Sequence, residues 1–354
     1  MLDLLSPGLR MPIMNRRGER DHGIRPELVA YPKTPVDLGL SGHNALLINR
    51  SQMKAHALRK LVALVAVVVA VGCGAFVLMK AAPGKLKGQI RPSSYAELVA
   101  LPETDLAAVD VAVMNLLCAE GLPGAEGLDL KASLAVLDQW TEVARQAERK
   151  YLPQFQRNPA RYDHSLAKFK AVNLGLTLKQ DLGCDYNKEI SSSGVMADIR
   201  STRFFRNSRD LFLHGFIENR KGSCSSLPVL MVAIGRRCGY PLFLVPSKGH
   251  LFCRWDDGKE RFNLEIATQG VDSQPDSYYR GWPYPFNEEE LASEKYLKSL
   301  TPAEELGLFA EIRGDCLREN QRRKESAQAY EVALRSFPKS KMVKANMINV
   351  KGEN

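Results

Sequence analysis

Three kinds of hydrophobic patterning divide the chain. Leu61 to Met79 is one apolar run with no charged residue, flanked by Arg59-Lys60 and Lys80. Its length is close to the about 20 residues that span a bilayer, so 59–80 is predicted to be a transmembrane helix. Helical spacing follows: Leu106, Val109, Val113, Leu116 and Leu117 within 105–119, then Leu134, Leu137, Trp140, Val143 and Ala144 within 130–151. Further helices are predicted over 162–181 and 209–219. The third kind is short and dense. An apolar helix over 225–238 that Gly239 closes precedes strands over 241–246, 250–255 and 260–267. Two amphipathic helices then fill 301–338, and 342–350 starts another. The pattern predicts an α+β fold. A helical layer (96–219) leads into a core (220–270) inside one domain (96–290), followed by a helical unit (300–350).

The ends carry other signals. Residues 1–58 are rich in Arg, Pro and Gly without sustained periodicity and are expected to form a disordered basic tail, and 81–95 a linker. A cleaved signal peptide is excluded by the long segment before the apolar run. The expected topology is single-pass in the membrane, with the N-terminus cytoplasmic and the large C-terminal part extracytoplasmic.

Composition narrows the function classes. The chain has 354 residues, 45% of them hydrophobic, and a net charge of +9, enough for about two domains. Lys and Arg are dispersed and no nucleic-acid motif is present, so the charge reads as solubility and attraction to a membrane surface, with no nucleic-acid partner. Seven cysteines without regular spacing form neither a disulfide framework nor a paired metal motif. Cys118, Cys184, Cys238 and Cys316 read as core residues.

Cys224 differs by its context. Gly222-Ser223 forms a turn before it and the apolar helix follows, so the thiol sits at a helix N-terminus. There the dipole favours thiolate, and the same amides can stabilise an oxyanion. Downstream, Asp256-Asp257-Gly258-Lys259 is a hairpin signal. A two-residue Asp257-Gly258 loop sets a register in which His250 lies opposite Glu265. Directly opposed residues have Cβ atoms about 4.5–5.5 Å apart, close enough for a carboxylate to hold an imidazole. The candidate catalytic set is therefore Cys224, His250 and Glu265, with Asn263, on the same face, as the alternative orienting residue. Cys253 lies three residues along the strand from His250 and points the other way, which argues against a metal site. The aromatic stretch of Tyr278, Tyr279, Trp282 and Tyr284 either packs as a loop or borders a substrate cleft.

The ordered blocks Gly222-Ser223-Cys224-Ser225-Ser226-Leu227, Gly239-Tyr240-Pro241, Gly249-His250-Leu251-Phe252 and Asn263-Leu264-Glu265-Ile266-Ala267-Thr268 resemble the transglutaminase-like superfamily of papain-type cysteine enzymes. More narrowly they resemble a SirB-related bacterial branch whose core is followed by tetratricopeptide helices. Gly314, Leu317, Tyr330, Ala333 and Pro338 match the small, aromatic and proline positions of one such repeat. Glu265 stands where the superfamily usually has Asp. The resemblance implies a Cys-bearing helix on an antiparallel sheet. It also implies a hydrolase or acyl transferase that acts on amide or peptide carbonyls of a protein or peptide substrate, with no cofactor or metal. The alternative is a membrane-tethered binding module without turnover, holding a protein partner on its C-terminal helices.

Overall fold

The computed structural model describes residues 90–187, 204–267 and 270–352. The basic tail, the Leu61–Met79 run and most of the 81–95 linker lie outside the described residues. Among those described, no helix is long and apolar enough to cross a membrane.

The fold is mixed helix and antiparallel sheet, as the α+β expectation has it. Short helices α1 (Tyr95–Ala100) and α2 (Glu103–Leu106) lead to α3 (Val111–Ala119). The sequence pattern had one helix over 105–119. It splits because the Asp110 side chain accepts from the Ala112 N–H and starts a new helix there. Every residue of α3 is buried, as its Val-Ala-Val-Met-Asn-Leu-Leu sequence, apolar on all sides, demands. Its one amide, Asn115, accepts a 2.9 Å hydrogen bond from the Leu213 N–H.

After α3 come α4 (Leu130–Arg157), α5 (Leu166–Leu176), α6 (Ser208–Leu211) and α7 (Leu213–Asn219), of which α4 and α7 pack on it. A two-residue parallel pair joins β1 (Asp185–Tyr186) to β2 (Lys221–Gly222). The apolar helix α8 (Leu227–Arg237) follows, then β3 (Leu242–Ser247), β4 (His250–Asp256), β5 (Arg261–Ala267) and β6 (Gly270–Asp272), an antiparallel meander in the order β3-β4-β5-β6. Three of its strands were expected from the sequence, and the short β6 was not.

Alternation assigns the two faces of the sheet. Cys253, Leu264 and Ile266 meet α8 through Leu227, Pro228 and Met231, and the Cys253 thiol donates to the Pro228 carbonyl at 3.3 Å. The face carrying Phe252 is covered by α9 (Asp276–Gly281), whose Tyr279 stacks on Phe252 with ring centroids 3.8 Å apart.

The aromatic stretch, expected as a loop, thus begins in a helix, and α10 (Glu288–Ser293) follows. Next come α11 (Pro302–Glu319), α12 (Arg323–Ser336) and α13 (Lys341–Gly352). Gly314 is there for close approach: a Cβ would fall 2.5 Å from the Tyr330 ring across the α11–α12 hairpin.

These helices are built into the core. Arg313 of α11 donates to the carbonyls of Cys118 and Glu120 at 2.9 and 2.6 Å. Arg236 of α8 forms a bidentate pair with fully buried Glu305, at 2.6 and 2.9 Å. Leu297 and Leu300 donate to the carbonyls of Pro246 and Leu244, so this segment covers the outer edge of β3.

Candidate active site

The turn before α8 is held by its serines. Arg220 takes a left-handed conformation (φ 64°) as α7 ends, with its guanidinium 4.1 Å from the centre of the Trp140 ring. The chain then passes through β2, where Gly222 lies under the Phe216 ring so closely that a Cβ would come within 2.1 Å of it. Ser223 Oγ donates to the Asp210 carbonyl at 2.6 Å and accepts from the Ser225 N–H at 3.2 Å. Ser226 Oγ accepts from the Ser223 N–H at 3.0 Å and also donates to the Asp210 carbonyl, at 3.2 Å.

Helical hydrogen bonding begins at Ser223, whose carbonyl accepts from the Leu227 N–H at 3.0 Å. Regular helix starts at Leu227, two residues later than the expected 225, but Cys224 still occupies the leading turn. The Cys224 N–H makes no hydrogen bond among the described residues. The serines of the Ser-Cys-Ser-Ser sequence are positioning residues, a role the sequence reading did not assign them.

His250 is the first residue of β4, paired with Ser247 across a Lys248-Gly249 turn in which Gly249 has φ 78°. Its Nε2 bonds Glu265 Oε1, and the other carboxylate oxygen, Oε2, accepts from Tyr279 Oη at 2.8 Å. Trp282 stands edge-on to the imidazole with ring centroids 4.8 Å apart. The Cys224 sulfur is close enough to the ring to act on its charge state, and both residues line the same cavity. Because Nε2 is committed to Glu265, Nδ1 is the nitrogen left to exchange a proton, and it has no hydrogen-bond partner within the fold.

The electrostatics follow. Burial, the largest influence, favours neutral imidazole. It is outweighed by the charge and hydrogen bond of Glu265 and by the neighbouring Cys224 sulfur, which together raise the His250 pKa to about 10. Burial first, and then the charge and hydrogen bond of Glu265, push the Tyr279 phenol far above its ordinary range, so Tyr279 remains a donor to the carboxylate.

The hairpin register differs from the expected one. Asp256 pairs with Arg261 and Arg254 with Asn263, so four residues, Asp257–Glu260, form the connection. The Asp257 side chain explains the wider loop: its Oδ1 accepts from the N–H groups of Lys259 and Glu260 at 2.8 and 2.7 Å. Glu265 therefore sits diagonally from His250, two positions from the directly opposed site. A two-residue shift preserves the face, so the side chains still meet.

Asn263, the alternative orienting residue, is engaged elsewhere. It accepts from Arg254 Nε at 2.8 Å and donates to Asp276 Oδ1 at 2.7 Å and the Gln274 carbonyl at 3.0 Å. Of the aromatic stretch, Tyr279 is packed and holds Glu265, and Trp282 flanks the histidine.

Cys224 and His250 open onto a cavity of about 300 Å³. Its far wall is formed by α11 and α13 (Leu308, Glu311, Ile312, Asp315, Met342), so the C-terminal helices complete the cleft. Among the described residues no group of His, Cys, Asp and Glu side chains has the arrangement of a metal site. Compared with protein-family models, curated proteins and solved structures, the chain matches none.

Proposed function

We propose that the protein is a membrane-anchored cysteine enzyme of transglutaminase-like type that acts on amide or peptide carbonyls as a hydrolase or acyl transferase. The observation that carries this reading is the buried His250 ring, bonded through Nε2 to Glu265 and lining one cavity with Cys224. Its Nδ1 has no hydrogen-bond partner within the fold, and the Glu265 charge raises the pKa towards the protonated form.

In the reaction, Cys224 Sγ adds to the carbonyl carbon while His250 Nδ1 holds the thiol proton. Glu265 fixes the ring through Nε2. The Cys224 N–H, at the leading turn of α8, serves as the donor to the developing oxyanion. As the C–N bond breaks, His250 gives its proton to the departing amine and a thioester remains. Water or a second amine then adds, loses its proton to His250 and releases the thiol. The Leu61–Met79 run provides the membrane anchor.

Burial of Cys224, 4% exposed, supports the second reading, a binding module without turnover. The rate of iodoacetamide alkylation at Cys224, followed against pH in the wild type and His250→Ala, separates the two. A nucleophile paired with His250 reacts rapidly near neutral pH, and the variant loses about 10²–10⁴-fold there. A slow rate that the substitution leaves unchanged would establish the binding module instead.

A further inference from the structure

The cavity beside Cys224 is lined by three acids and, besides His250, one base, Arg318, in a chain whose net charge is +9. Glu311 and Asp315 lie four residues apart on one face of α11, and Glu294 joins them from the end of α10. Asp315 is accounted for, since it accepts from Tyr330 Oη at 2.7 Å and pairs with Arg318 at 3.1 Å. Glu294 accepts from the Lys341 N–H at 2.8 Å. Glu311 has neither a hydrogen bond nor an ion pair among the described residues. Its carboxyl is pushed well above the usual range, by burial first and then by Asp315 and Glu294, with Arg318 opposing.

A second feature of the same cavity is independent of the acids. Ser247, 4% exposed and lining the cavity next to His250, has a hydroxyl without a hydrogen-bond partner. A buried hydroxyl left unpaired is costly unless a ligand completes it. Between this polar end and the acids the wall is apolar, formed by Leu308, Ile312 and Met342. An aliphatic stem ending in a cation matches that sequence of surfaces: apolar along its length, charged at its tip.

From this arrangement we infer that the cavity is a specificity pocket for a lysine-like cationic side chain on the peptide substrate, with Glu311, which gives up its proton as the cation binds, as the residue that reads the charge. The stem lies along Leu308 and Met342, and the peptide main chain passes Ser247, whose hydroxyl is free to bond it. This presents the neighbouring carbonyl to Cys224. The inference deepens the cysteine-enzyme reading and rests on it for the identity of the reacting carbonyl.

The test is equilibrium binding to the full chain carrying Cys224→Ala, which removes turnover from the readout. The two probes are an N-acetylated tripeptide amide with lysine at its centre and its norleucine counterpart. The lysine peptide is expected to bind at least about tenfold tighter, the scale of one close charge pair. Glu311→Gln is expected to abolish that preference while leaving norleucine-peptide affinity unchanged, which shows that the cavity is still formed. Equal affinities, a norleucine preference or no binding of either at millimolar peptide would overturn the pocket. A lysine preference in a chain whose Cys224 is inert would uphold the pocket and remove the enzyme. Peptide turnover in the wild type without a lysine preference in the Cys224→Ala chain would do the reverse.

Discussion

Two polar clusters lie side by side on one face of the β4–β5 hairpin, and they have opposite character. In the first, Arg254 is 1% exposed and all three guanidinium nitrogens are engaged: Nε with Asn263 at 2.8 Å, Nη1 with the Leu297 carbonyl at 3.0 Å and Nη2 with Asp276 at 2.5 Å. Asn263 spends both ends of its amide in the same network. In the second, His250 is nearly as buried, at 5% exposed, yet Nδ1 has no hydrogen-bond partner and the residue lines a cavity. Burial alone therefore does not separate a structural polar cluster from a reactive one. What separates them is whether the hydrogen-bonding capacity is used up within the fold. A saturated network fixes the loop 273–276 against the sheet, and an unsaturated one retains a valence for chemistry.

The comparison breaks most clearly under substitution. Arg254→Ala leaves buried Asn263 and half-exposed Asp276 without their central partner and is expected to cost about 1–3 kcal/mol of stability. Urea denaturation would measure it. His250→Ala is expected to cost much less stability while removing the reactivity of Cys224. If the two variants prove equally destabilised, the division into a structural and a reactive cluster fails.

The next effect is a pH dependence. The folded-state pKa of His250 is raised to about 10, above an unfolded value of about 6.5. The stability it contributes is thus fully present below the unfolded value and is lost as pH rises through the folded one. The urea midpoint of the wild type should fall between neutral pH and about 10. Glu265→Gln removes the charge that raises the pKa, so the variant should show a flatter profile over that window. Superimposable profiles would mean that Glu265 does not set the charge state of the imidazole.

The smallest effect is expected at Tyr279. Its phenol donates to Glu265 at 2.8 Å, but its ring packing on Phe252 survives truncation of the hydroxyl. Tyr279→Phe should cost about 0.5–1.5 kcal/mol. It should slow Cys224 alkylation only a few fold, because Glu265 keeps its bond to His250. A loss as large as that of His250→Ala would place Tyr279 in the reactive set itself.

The order of the three site residues and the faces of their strands were legible in the sequence because side-chain direction in a strand has period two. The loop between β4 and β5 came out two residues longer than the Asp-Gly signal indicated, yet the parity of His250 and Glu265 was unchanged. An odd error would have separated them. The apolar run of α8 and the helix pair α11–α12 were likewise written in local pattern. The breaks within the helical layer were less legible, since Asp110 competes as a cap inside a stretch whose apolar spacing continues through it.

Other features belong to tertiary structure alone. Nothing local in Asn263 says that it serves Arg254 and Asp276 while Glu265 serves His250; that division depends on where α9 crosses the sheet. The serines around Cys224 find their partner in the Asp210 carbonyl, on a four-residue helix that has no strong pattern of its own. The acidic face of α11 reads in sequence as a solvated helix surface. It becomes a cavity wall only because Arg313, Glu305 and the segment from Leu297 to Leu300 dock that helix against α3, α8 and β3. Local patterns set which faces are apolar and which residues share them. Which two faces meet is settled by long-range pairing and close packing, whose terms arise only when distant segments of the chain come together.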